Sequence, residues 1–311
     1  MDAPQPNNRA NRLRVAFMGT RGGFSLPPLA ALLAADVELV AVIVPGQTDA
    51  PPLQPCRPTP LRSELPLLTP YLTPTIVELA WQHGIAVYAA TRRAGAALAN
   101  WLRAQRVEVV CVACWPWRIP AILLKATPHG WLNLHPSRLP RHRGPAPLFW
   151  TLHAGEREAG VTIHRMDAGL DHGPIAAQAA LPLPDGISGP ELEQRCAQLG
   201  GRLLVETLDR LRRGVLRYAP QASGGSYEAW PQAEDFTIAP DWSARRAFNF
   251  MRGTREWQVP YRLITAAGTT LLLADALGYN DYARLRRPIE READIVRVQL
   301  SPGVLTARTA E

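Results

Sequence analysis

The 311-residue chain has 34 basic and 27 acidic residues, a net charge of +7, and is 47% hydrophobic. This excludes a disordered polyelectrolyte and supports a sizeable core, organised as one large and one small domain. There is no run of about 18 apolar residues, and the opening MDAPQPNNRANRLR lacks the apolar middle of a secretory signal, so a soluble, cytoplasmic protein with no membrane partner is expected.

Residues 1–11 read as a disordered tail. LRVAFMG, Leu13 to Gly19, reads as a buried parallel strand, Phe24 to Ala35 as a helix opened by Pro27 and Pro28, and Val37 to Val44 as a second strand. Gly19, Gly22 and Gly23 lack the dinucleotide-binding spacing, so a tight turn accounts for them. The Pro-rich stretch from Pro45 to Pro74 is expected as a long loop or insertion with one short helical turn. Thr75 to Gly84 and Arg93 to Gln105 read as helices, Ile85 to Tyr88 and Val107 to Ala113 as strands. This alternation predicts an α/β fold, a doubly wound, mostly parallel sheet with ligands at the carboxyl ends of its strands.

Trp131 to His135 is the next strand, followed by a loop to Gly144, a helix over Pro145 to Ala154, strands over Val161 to Met166 and Ile175 to Leu181, and a helix from Ser188 to near Gly214. The catalytic domain is expected over 12–216, a Pro/Gly/Ser/Gln-rich linker over 217–234 and a small β-rich domain, a possible partial barrel, over 235–311. In that last part Trp242 to Gly253 reads as a helix, and Tyr261 to Ile264, Thr269 to Leu277 and Asp294 to Gln299 as strands. The four cysteines make no disulfide framework, and Cys111 and Cys114 point to opposite faces of a strand, so they cannot share a metal.

Three polar residues carry the chemistry. Asn133 and His135 alternate with Leu132 and Leu134 and so leave one side of a strand end together. Asp171 follows in the loop after the Val161 strand, and an amide, an imidazole and a carboxylate suit polarisation of a carbonyl and movement of a proton. Asp167, before Ala168 and Gly169, fits better as a residue bonding its own loop. For His142, His153, His164 and His172 surface or loop roles are expected, since none has metal-ligand spacing. Arg138, Arg141 and Arg143 suit either an anion contact or a solvated loop.

FMGTRGGFSLPPLAALL, NLHPSRLPRHRGPAPLFW, AGVTIHRMDAGLDHGP and PDWSARRAFNFMRG resemble, in that order, segments of the methionyl-tRNA formyltransferase family, enzymes that use 10-formyltetrahydrofolate. The specific part is N-x-H followed by S-x-L-P and, 36 residues after the histidine, L-D-x-G. The resemblance implies attack of an acceptor amine on the folate-borne formyl carbon, with Asn133 and His135 as donors to the oxyanion, Asp171 as orienter and proton relay, and no metal. It also implies a folate cleft involving Ile119, Pro120, Ser137, Leu139, Pro140, Gly144, Gly169 and Gly173, in which Trp115 and Trp117 would either wall the pterin or anchor the core of an altered loop. CWPWRIP, Cys114 to Pro120, departs from the family pattern and is one residue longer.

Initiator methionyl-tRNA is the acceptor that the motif order implies. The insertion expected to meet it has only Arg57 and Arg62 among prolines and leucines, which suits a smaller acceptor such as an amino sugar. Transfer to a thiol or to water is a further alternative. Arg245, Arg246, Arg252, Arg255, Arg284, Arg286, Arg287 and Arg291 suit phosphate contacts or a solvated face equally.

Overall fold

The computed structural model describes residues 12–58 and 74–310; the expected N-terminal tail and part of the Pro-rich stretch lie outside them. The chain forms two compact units. Of the described residues, one contains those up to Pro140, Val161–Ala179 and Cys196–Gly224, the other Arg141–Gly160, Ala180–Arg195 and those from Gly225 onward. Each draws on separated segments, so its boundaries differ from the sequential ones expected at 216 and 235.

The first sheet contains β1 (Leu13–Gly19), β2 (Val37–Pro45), β3 (Leu53–Cys56), β4 (Ala86–Ala90), β5 (Val109–Ala113), β6 (Trp131–His135), β7 (Glu158–Arg165) and β8 (Ile175–Pro182), in the order β3-β4-β2-β1-β5-β6-β7-β8. β4, β2, β1, β5 and β6 are mutually parallel, while β3 runs antiparallel to β4 and β7 antiparallel to β6. The doubly wound expectation holds for the parallel part. β5, VVCVA, is buried at every position, as a central strand covered on both faces requires. β3 falls where a loop with a helical turn was expected; as an edge strand it tolerates Pro55, which has no N–H to donate.

Order reverses between β1 and β5, where such sheets open a ligand crevice. Ser25 Oγ accepts from the Thr20 amide at 3.0 Å and donates to the Ala113 carbonyl at 2.8 Å, tying the two strand ends together. A Cβ on Gly19 would stand 2.8 Å from that hydroxyl. The Gly19 turn is therefore a close approach to Ser25.

Helices α1 (Leu26–Leu33), α2 (Ile76–Gln82), α3 (Gly95–Ala104), α4 (Ala121–Leu124), α5 (Pro147–His153), α6 (Gly189–Arg212) and α7 (Ala244–Thr254) complete the pattern. α2 starts at a capping box, Thr75 with Glu78. α6 meets β6 at Gly200, where a Cβ would lie 2.5 Å from the Leu134 side chain.

In the second unit β9 (Thr237–Ile238), β10 (Tyr261–Ile264), β11 (Thr270–Asn280), β12 (Ile289–Glu292), β13 (Ile295–Gln299) and β14 (Val304–Thr309) form a sheet in the order β12-β13-β14-β11-β10-β9. β9, β12 and β14 are additions to the expected strands. Phe149, Phe236, Phe250, Trp257 and Tyr261 pack ring against ring with centroids 5.1–6.2 Å apart, a contact range typical of buried aromatic clusters.

Residues 217–234, expected as a linker, are tied down by backbone bonds. Ile175 and Ala219 exchange N–H···O bonds of 2.8 and 2.9 Å, and Arg143 bonds Ser226 and Glu228 at 3.2 and 3.0 Å. Composition showed the absence of a helix there but not these pairings.

Candidate active site

The site grows from the pairing of β6 with β7. Antiparallel register sets Asn133 opposite His164, Leu134 opposite Ile163 and His135 opposite Thr162. Directly opposed residues share a sheet face. Asn133, His135, Thr162 and His164 thus stand on one side, and Leu134 and Ile163 on the other.

Asp171 reaches the same point from the loop between β7 and β8. Its Oδ1 lies 3.3 Å from Asn133 Nδ2, 3.6 Å from His135 Nδ1 and 3.5 Å from His164 Nε2. His135, His164 and Asp171 are 4%, 1% and 9% exposed, so these contacts are sheltered from solvent. The backbone of Asp171 is left-handed, φ +52°, a region that Asp and Asn enter more readily than other side chains. A Cβ on Gly173 would overlap the Arg165 carbonyl oxygen, so glycine is required where the loop doubles back on β7. Asp167 Oδ1 accepts from the Gly169 amide at 2.8 Å, the local bond expected of it.

His164 is a correction to the sequence reading, which assigned it a surface or loop role. Its Nε2 is 3.1 Å from Asn133 Nδ2 and its Nδ1 is 3.3 Å from the Arg165 carbonyl. A carbonyl can only accept, so in the neutral ring Nδ1 carries the hydrogen and Nε2 accepts from the amide. The alternation Val161, Thr162, Ile163, His164 carried the signal, but only for a strand known to pair antiparallel with β6.

His142 is also buried, 6% exposed, its ring nitrogens 2.7 Å from Glu156 Oε1 and 3.3 Å from Glu228 Oε1. His153 packs among Phe149, Trp150, Trp242 and Phe250. His172 is exposed, as expected.

The loop after β6 is fixed by Thr162. Its hydroxyl donates to the Ser137 carbonyl at 2.7 Å and accepts from the Leu139 amide at 3.2 Å, while Gln178 donates to the Leu139 carbonyl at 2.9 Å. Ser137, Leu139 and Pro140 are thereby held beside His135. Gly144 belongs to the second unit, where a Cβ would overlap the Glu228 carbonyl. Arg141 is paired with Glu156 in that unit and is not an isolated anion contact.

Trp115, Trp117, Ile119 and Pro120 line one small cavity with Met18, Arg92 and Leu98. It holds about 10 Å³, room for one water. The indoles meet edge to face at 4.9 Å, and the Arg92 guanidinium lies 5.6 Å from the Trp117 ring. Trp115 Nε1 is buried with no hydrogen-bond partner among the described residues. Arg118 donates to the Ala168 carbonyl and so links this loop to the one carrying Asp171.

Among the described residues no helix is long and apolar enough to cross a membrane, and no cluster of His, Cys, Asp and Glu is placed to hold a metal ion.

A family profile described as Formyl transferase matches residues 70–208. A methionyl-tRNA formyltransferase of Pelobacter propionicus is 34% identical over 269 residues, covering 85% of this chain and 79% of the relative, and one of Anaeromyxobacter dehalogenans is 36% identical with the same two coverages. Among solved structures, an N-formyltransferase from Helicobacter canadensis, in complex with folinic acid and dTDP-3-aminofucose, shares the fold at 14% identity, with a TM-score of 0.64 over 96% of this chain and 99% of that one. The glycinamide ribonucleotide transformylase 1 of Symbiobacterium toebii matches at 25% identity and TM-score 0.53, over 67% and 95% of the two chains. This chain belongs to the methionyl-tRNA formyltransferase family of 10-formyltetrahydrofolate-dependent formyltransferases.

Proposed function

We propose that the chain moves the formyl group of 10-formyltetrahydrofolate to the α-amine of an initiator methionyl-tRNA, with Asn133, His135 and Asp171 as its catalytic residues. The observation that supports the chemistry is the meeting of an amide and two imidazoles at one carboxylate oxygen, Asp171 Oδ1. The choice of acceptor rests on 34–36% identity to methionyl-tRNA formyltransferases over 79% of their length.

The acceptor nitrogen bonds to the formyl carbon, and negative charge builds on the formyl oxygen. Asn133 and a protonated His135 donate to that oxygen, each contributing about 2.7–4 kcal/mol of barrier lowering. One Asn133 N–H turns to it from Asp171, whose 3.3 Å contact is longer than the 3.1 Å contact with His164. Asp171 favours the His135 imidazolium by opposite charge and takes the proton of the attacking amine through a water. The bond to the folate nitrogen then breaks, and that nitrogen receives the proton.

The formyl end fits this donor set. The pterin end belongs in the Trp115–Pro120 cavity, whose present volume requires the two indoles to move aside; the buried Trp115 N–H then has a ring acceptor to bond. Ser137, Leu139, Pro140, Gly169 and Gly173 shape the loops beside it. For the tRNA phosphates the exposed Arg284, Arg286, Arg287 and Arg291 are better placed than Arg245, Arg252 and Arg255, which pair with Asp185 or Asp275.

The test is consumption of 10-formyltetrahydrofolate by purified protein with methionyl-tRNA, with a nucleotide-linked amino sugar, or with no acceptor. Turnover that requires the charged tRNA and disappears after ribonuclease treatment is expected. Turnover with the sugar alone would reassign the acceptor, and steady consumption without any acceptor would indicate a hydrolase.

A further inference from the structure

Asp171 meets its partners from a backbone conformation that is costly for a side-chain-bearing residue, φ +52°, and such a conformation persists where its surroundings over-determine it. On one side Gly173 closes onto the Arg165 carbonyl. On the other, the Gln221 amide donates to the Asp171 carbonyl at 2.8 Å and to the Gly173 carbonyl at 2.9 Å, so its two hydrogens hold the peptides that flank the turn. The reciprocal bonds between Ala219 and Ile175 fix the segment that carries Gln221, and the Tyr218 ring lies 5.9 Å from the Arg165 guanidinium.

We infer that Gln221 is a positioning residue for Asp171. It acts through the Asp171 backbone and sets the distance between Oδ1 and the imidazoles of His135 and His164. The inference deepens the proposed function but is tested apart from it.

The experiment compares wild type, Gln221→Ala, Gln221→Glu and Asp171→Asn by NMR of ¹⁵N-histidine-labelled protein across a pH titration. Without the clamp the His135 and His164 ring signals of Gln221→Ala should move towards those of Asp171→Asn. Superposition of their titration curves on wild type overturns the inference, whatever the turnover. In a parallel assay with methionyl-tRNA, Gln221→Ala should lose about 10- to 100-fold in kcat, the cost of a small misplacement of a reacting group, with KM changed less than about twofold.

Gln221→Glu keeps the shape but opposes a carboxylate to two carbonyls, so its kcat should fall at neutral pH and partly recover as acid restores one O–H donor. A flat pH ratio to wild type counts against the clamp. Absence of wild-type turnover with every acceptor would remove the proposed function and leave the NMR comparison to decide the role of Gln221.

Discussion

His164 Nε2 lies 3.1 Å from Asn133 Nδ2, and the two residues face each other directly across β6 and β7. The contact fixes the plane of the amide that is proposed to bond the formyl oxygen. His164→Leu should therefore lower kcat by about tenfold, whereas His164→Gln, which can still accept from the amide, should retain most of it. Steady-state kinetics of the two variants decide this, and equal rates would make His164 a packing residue.

Charge and geometry at Asp171 can be separated. Asparagine tolerates the left-handed backbone nearly as well as aspartate, so Asp171→Asn should fold normally and lose about 100- to 1,000-fold in kcat. His135→Ala should lose a similar factor. Near-normal turnover in either variant removes that residue from the mechanism.

The aromatic cluster sets a pH limit on stability. Burial among rings, and next the positive charge of Arg246, hold the His153 imidazole below its ordinary pKa despite an opposing contribution from Asp235. A lowered histidine pKa means that the unfolded chain binds more protons, so stability is full above the unfolded pKa, about 6.5, and is lost as pH falls through it towards the folded value. At the other extreme, burial pushes the Tyr261 hydroxyl up to about 12; its contribution is present below about pH 10 and lost as pH rises towards the folded value. Denaturant midpoints measured against pH should show both edges. His153→Phe should flatten the acid one.

The tryptophan pair should report co-substrate binding. If a pterin enters by moving Trp115 and Trp117, titration with 5-formyltetrahydrofolate should change the intrinsic fluorescence, and Trp117→Phe should remove much of that change. An unchanged signal with binding confirmed by calorimetry would place the pterin elsewhere.

Periodicity and turn residues went far in this chain. β6 was readable from Trp131 to His135, and the N-x-H and L-D-x-G motifs pointed to the side chains that converge. Strand direction was not readable: nothing in GVTIHR distinguishes a parallel from an antiparallel neighbour, and His164 was missed for that reason. Gln221 was hidden by its Pro, Gly and Ser surroundings, which mark a lack of helix but not what a loop side chain will bond. The tight packing of Trp115 and Trp117 depends on neighbours brought from β1 and α3, information that no local stretch contains.

β7 alternates between site and core one residue at a time, with Thr162 and His164 turned one way and Ile163 the other. Gain or loss of a single residue within it would present isoleucine to Asn133 and His135 and press two polar side chains into hydrocarbon. Length, more than composition, is what this strand cannot vary, and related enzymes should differ by insertion in the flanking loops before they differ there.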